Sequence, residues 1–211
     1  MSYVPTDVVS SVDEIRAVIP GEFESQQNKV LDHIDELCRA WIERSSFIML
    51  ATVGADGRLD VSPKGDPAGF VKVLDPHTLA IPDRPGNHRF DGFRNILETG
   101  RIAITFLVPT RNEVIRVSGS AQVIRDEALR KSMAINGRTP DFAILVKVEE
   151  AFFHCGKAVI RSALWAPDRA APAHDLPTYG QALLAHGRLS TPLEEMEARL
   201  KNNDENRLYD E

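Results

Sequence analysis

The sequence predicts a mainly β protein with α additions, organised as an antiparallel sheet or barrel with flanking helices. Three observations carry this. Short apolar runs recur between turn residues at hairpin spacing from position 47 to position 148. The regular alternation of strand and helix that signals a doubly wound parallel sheet is missing. Neither a GxGxxG nor a P-loop stretch is found.

Residues 1–22 are polar and carry Pro5, Pro20 and Gly21, so they read as a loosely ordered arm. From Glu24 the pattern changes. Val30, Leu31, Ile34, Leu37, Cys38, Trp41 and Ile42 recur at helical spacing with charges opposite, which predicts one amphipathic helix. Residues 47–53 form an apolar strand, residues 54–57 a turn, and residues 58–62 its partner. After them Pro63, Gly65, Pro67 and Gly69 are expected to break the ladder. Residues 70–74 and 78–81 flank Asp75-Pro76-His77 as a second hairpin, and residues 101–108 and 113–125 flank a turn at 109–112 as a third. Residues 143–148 make a last strand.

Two helices interrupt the strands. One spans about 91–99 and stops at Gly100; the other spans about 126–136, with Asp126 as N-cap, and stops at Gly137. Residues 166–177 are rich in Pro and Ala, as in a linker. Thr191-Pro192-Leu193-Glu194 reads as a capping box opening a final helix. The chain thus divides into an arm (1–22), a β-rich body (23–165) and a C-terminal helical extension (166–211).

The chain has 211 residues, enough to bury its own core without staples. Its charge is 25 − 31 = −6, which argues against a nucleic-acid partner. Cys38 and Cys155 lie too far apart in sequence for a metal pair, and two cysteines suit a reducing cytoplasm. No apolar stretch reaches the length of a membrane span, and the N-terminus does not read as a signal peptide. The six histidines show no metal-ligand spacing.

The first candidate segment for chemistry is residues 81–96. Between 84 and 96, three arginines face one aspartate, a local charge of 3 − 1 = +2 on an acidic protein. Gly86 and Gly92 allow close backbone approach, and a helix follows. These are the parts that hold a phosphate dianion; the same bend also reads as a solvated loop whose arginines pair with Asp83, Asp91 and Glu98. A second segment, 61–69, could offer backbone groups to the edge of a flat heterocycle, with Lys64 adding charge, or could be a plain connecting loop. In a third, Lys157 and Arg161 share a helical face beside Trp165. Cys155 reads as inert core. Glu149-Glu150 reads as a polar strand end, and the acidic tail near 204–211 as solvated surface.

Taken together, residues 47–53 with the Gly/Asp turn, Ser62-Pro63-Lys64-Gly65-Asp66, Ile81-Pro82-Asp83-Arg84-Pro85-Gly86-Asn87 with Arg94-Asn95-Ile96, and residues 154–165 resemble the pyridoxamine 5′-phosphate oxidase-like flavoproteins. The extended Pro-Asp-Arg-Pro-Gly-Asn segment is similar to an uncharacterised bacterial subgroup of that family. The resemblance implies an FMN-binding split β-barrel over roughly 42–165 and a homodimer with flavin in the groove between the barrels. It also implies an FMN-dependent oxidoreductase acting on a small-molecule substrate, with NAD(P)H as a candidate reductant. Ser62, Lys64 and Gly65 would lie along the ring. The Arg84 to Asn95 segment would hold the phosphate, with Arg84, Asn87, Arg89 and Asn95 as first choices, and Pro82 and Arg94 would complete the cofactor-binding set. Lys157, Arg161 and Trp165 would approach from late in the chain or from the other subunit. A non-catalytic flavin sensor or storage protein, and a split barrel holding haem or a deazaflavin, are the alternatives. Two departures stand out: the family's Arg-containing C-terminal substrate motif is not found, which counts against pyridoxamine phosphate oxidation itself, and Gly92 stands where a lysine is common, which would shift phosphate binding onto the arginines.

Overall fold

The computed structural model describes residues 2–19, 21, 23–169 and 171–210; Met1, Pro20, Glu22, Ala170 and Glu211 lie outside the described residues. The chain runs α1 (Val12–Val18), α2 (Glu24–Gln27), α3 (Glu36–Ile42), β1 (Phe47–Val53), β2 (Leu59–Gly65), β3 (Lys72–Asp75), β4 (Thr78–Pro82), α4 (Asp91–Thr99), β5 (Arg101–Leu107), β6 (Val114–Ile124), α5 (Glu127–Ser132), β7 (Ala143–His154), α6 (Lys157–Ser162), α7 (Tyr179–Gly187) and α8 (Leu193–Asn206). The seven strands form one antiparallel sheet in the order β2-β1-β5-β6-β7-β4-β3, with helices flanking it. This is the architecture expected of the split barrel.

Alternation places the core. Ile48 and Leu50 of β1, Ile104 and Phe106 of β5, and Ile115 and Val117 of β6 are all buried. Side chains two apart on a strand share a face, so these residues converge on one apolar interior. Ile81 on β4 and Ile144 on β7 continue it. β7 runs past the expected end at 148, through Glu149 and Glu150, to His154. The extra length is taken up by a bulge opposite Ser118 and Gly119 of β6. Gly119 is required there, because a Cβ would stand 2.0 Å from the Lys147 carbonyl oxygen.

Several sequence expectations are corrected. The helix predicted from Glu24 is split: α2 stops at Gln27, and the amphipathic part, α3, begins only at Glu36. Leu31 instead exchanges backbone hydrogen bonds with Ala151, and Ile34 N donates to the Pro76 carbonyl. Asp35 then starts the helix by accepting from Cys38 N. The apolar spacing across 30–42 was therefore shared between a strand-like bridge and one short helix. Likewise β2 is not broken at Pro63; the ladder continues through Met49↔Pro63, Ile48↔Lys64 and Phe47↔Gly65. Its position at the sheet edge explains this, since an edge strand tolerates proline where no N–H is needed. The 126–136 helix ends early, at Ser132. The capping box lies at Thr178 and Gln181 on α7, not at Thr191; α8 starts after Pro192 without a side-chain cap. Within the arm, residues 12–18 are helical, with Ser11 as cap.

α4 is fixed across β1 by two contacts. Asn95 Nδ2 donates to Thr52 Oγ1 at 3.0 Å, and Thr99 Oγ1 donates to the Val53 carbonyl at 2.7 Å. Gly100 closes the helix in the left-handed region at φ 66°, as expected. With α4 anchored, the segment between the end of β4 and Asp91 must bridge a fixed gap, and this is the segment that builds the site.

Candidate functional site

The ladder determines which side chains of β2 face inward. Ser62 pairs with Leu50 and Lys64 with Ile48, and directly opposed residues share a face. Both therefore point to the side of the sheet that carries the core, and both are half-buried. β2 is the outermost strand, so its other row of backbone groups has no partner strand in the sheet.

On the facing side, β4 ends at Pro82, buried against Ala143. Asp83 N extends the pairing by donating to the Phe142 carbonyl. The chain then bends through 84–90 into α4. Two non-glycine residues in this bend, His88 and Phe90, adopt left-handed backbone at φ 57°. Such strain persists only where the surroundings impose it. Here Asn87 Oδ1 accepts from Arg89 N at 3.0 Å. The rings of His88, Phe90 and Phe93 stack in series at 6.1 Å, with Phe93 edge-on to Phe142 at 5.8 Å.

The two segments enclose an open cleft of about 260 Å³. Ser62, Pro63 and Lys64 form one wall; Arg84, Asn87, Arg89, Phe90 and Phe93 form the other. A flat aromatic wall and an edge strand suit a planar ring, and the arginine-bearing bend adds cationic and amide donors for an anion. The sequence-predicted residues separate as follows. Ser62, Lys64, Arg84, Asn87 and Arg89 line the cleft together, and Gly65 and Pro82 end the strands that bound it. Arg94 and Asn95 line an adjoining recess of about 230 Å³, shared with Arg58 and Arg89. Lys157, Arg161 and Trp165 do not line the cleft; Trp165 Nε1 donates to the Arg111 carbonyl.

Two of the candidate phosphate residues already hold partners within the chain. Arg84 Nε donates to Asp66 Oδ2 at 2.6 Å and its Nη2 to the Met133 carbonyl at 2.9 Å, with the side chain only 18% exposed. Asn95 is buried and spent on Thr52. Arg89 is also paired, to Asp91 at 2.7 Å, but its own side chain is mostly exposed, so it is more weakly held than Arg84. The Arg89 hydrogen bond, helped by Arg94 and Arg58, holds the Asp91 carboxyl below the usual carboxylate range. The sequence reading missed Phe90 and Phe93 as cleft walls. They are three apart, a spacing that reads as ordinary helix packing, and only the left-handed backbone at Phe90, just before α4, stacks its ring on that of Phe93 along the cleft.

Cys155 is exposed rather than core, whereas Cys38 is buried. Burial, with Asp35 alongside, pushes the Cys38 thiol up to about 12. A thiol reagent at neutral pH is therefore expected to label one cysteine per native chain and both after unfolding; two fast labels on native protein would contradict this. The unfolded chain ionises this thiol first, so its contribution to stability is present below the ordinary value of 9.0 and is lost as pH climbs towards 12. Among the described residues no group of three or more His, Cys, Asp or Glu could hold a metal ion, and no helix is long and apolar enough to cross a membrane.

Comparison with curated proteins gave no match. Among solved structures, HupZ of Group A Streptococcus is 25% identical and covers 57% of this chain and 93% of its own, with a TM-score of 0.47. General Stress Protein 26 of Bacillus anthracis is 13% identical, over 55% of this chain and 88% of its own (TM-score 0.43). HutZ, the haem storage protein of Vibrio cholerae, is 12% identical, over 58% and 94% (TM-score 0.40). The sequence pattern described as pyridoxamine 5′-phosphate oxidase matches residues 34–155, more than half of the chain and both walls of the cleft. The chain belongs to the pyridoxamine 5′-phosphate oxidase family.

Proposed function

We propose that this protein binds FMN in the cleft between β2 and the 84–93 bend, as a cytoplasmic homodimer, and acts as an FMN-dependent oxidoreductase. One observation carries the reading: two segments far apart in sequence, one suited to a ring edge and one to an anion, line a single cleft. Bound FMN would supply the redox chemistry. The chain's own residues bind and orient. Ser62 and the outer backbone row of β2 offer hydrogen bonds to the ring edge. Lys64 places a cation on that side. Phe90 and Phe93 exclude water from the opposite wall, and Arg89 with Asn87 receives the phosphate. Arg94 adds charge from the adjoining recess.

A cleft of about 260 Å³ is small for a ligand of this size, since such pockets usually span about 300–1,000 Å³. A second copy closing the open side would complete it. Lys157, Arg161 and Trp165 would then approach the cleft of that copy. Sedimentation is expected to give a dimer; a monomer that binds FMN tightly would contradict this part.

The test is titration of the purified protein with FMN, read by flavin absorbance and fluorescence. Saturation at one flavin per chain supports the reading. No flavin binding, or binding of haem or a deazaflavin in its place, overturns it. Anaerobic addition of NADH or NADPH then separates an enzyme, whose flavin bleaches at a useful rate, from a storage or sensor protein, whose flavin stays oxidised.

A further inference from the structure

We propose that Tyr209, at the far end of the chain, is a positioning residue: it completes a latch with Asp66 and Arg84 that holds the two walls of the cleft at a fixed separation. The proposal rests on the cleft being the seat of an anion-bearing cofactor. Asp66 immediately follows β2, and Arg84 lies two residues beyond the end of β4. Their ion pair therefore joins the roots of the two walls.

The Asp66 carboxylate is only 1% exposed, and the structure shows a donor on each oxygen. Arg84 Nε takes Oδ2 at 2.6 Å, and the Tyr209 hydroxyl donates to Oδ1 at 2.7 Å across a sequence separation of 143. The Tyr209 ring also stands over the Arg84 guanidinium, 5.9 Å from ring centre to carbon. Asp66 pushes the phenol's ionisation up, which keeps the hydroxyl a donor. A second contact tethers the tail, with Arg138 Nε 2.6 Å from Asp210 Oδ1. Behind the latch lies a cavity of about 420 Å³ bounded by Arg84, Arg138 and Tyr209. Without the tyrosine, water from that side would reach the Asp66–Arg84 pair. The pair weakens as the local dielectric rises, and one carboxylate oxygen loses its donor. Arg84 would then be held mainly by the Met133 carbonyl, and the bend would loosen with it.

The test uses full-length Tyr209→Phe, which keeps the ring and loses the hydroxyl, and full-length Tyr209→Ala. Amide hydrogen exchange is measured without cofactor over residues 83–90, with β5 as internal reference; FMN and riboflavin affinities are measured alongside. For Tyr209→Ala, faster exchange is expected in 83–90 while β5 is unchanged. FMN should weaken about tenfold, the scale of one hydrogen bond to a charged group, with riboflavin within about twofold. Tyr209→Phe should fall between wild type and Tyr209→Ala. Unchanged exchange in 83–90, faster exchange throughout the sheet, or equal loss of FMN and riboflavin would each overturn the proposal. If the wild-type protein binds no flavin, the functional reading fails on its own, and the exchange measurement still decides whether the latch exists.

Discussion

Replacing Asp66 with alanine is expected to destabilise the folded chain by about 3–5 kcal/mol, the range for removing one partner of a buried ion pair. The size follows from what remains. Arg84, only 18% exposed in the intact chain, keeps its hydrogen bond to the Met133 carbonyl but loses the carboxylate. The Tyr209 hydroxyl loses its acceptor as well. For a domain of this length the change lowers the melting temperature by roughly 6–20 °C. Urea denaturation checks it through the midpoint at unchanged slope. A loss under about 1 kcal/mol would show that Arg84 escapes to solvent and that the pair does not tie the walls together.

The Arg89→Ala variant is expected to bind FMN about 10- to 150-fold more weakly, with riboflavin affected less than about threefold. The estimate takes one charge-assisted hydrogen bond to phosphate as worth about 1.5–3 kcal/mol. Arg89 is the arginine of the cleft whose own side chain is mostly exposed, at 63%, so it can turn from Asp91 to an anion at less cost than the shielded Arg84. Removing it also leaves Asp91 with only Arg94 and Arg58 to offset its charge, adding repulsion towards a dianion. Calorimetric titration of both ligands makes the comparison. Equal losses for FMN and riboflavin would move the phosphate elsewhere.

The strands were legible because burial on one face leaves an alternation that needs no partner to be recognised: β1, β5 and β6 carry it plainly. The cleft's two main segments were legible for a similar reason. Arginines in a glycine-bearing bend, and prolines in a strand end, are unusual whatever surrounds them. What sequence could not show was pairing across distance. Arg84 reads as a phosphate ligand, and nothing local shows that its Nε is bonded to Asp66, 18 residues earlier. The acidic tail read as solvated surface, yet Tyr209 closes on that same carboxylate. The helix predicted from Glu24 failed because Leu31 and Ile34 satisfy an apolar stripe and a backbone bridge equally well, and only the position of Ala151 selects the bridge. Local chemistry carried the candidate site; long-range hydrogen bonds decided which of its side chains are still available.

A crystal structure of the protein grown with FMN tests the flavin seat most directly. The expected result has the ring against Ser62–Lys64 and the phosphate within about 3 Å of Arg89 nitrogen atoms, with Arg84 still paired to Asp66. Density for FMN outside this cleft, with the 84–90 bend facing bulk solvent in both copies, would contradict it.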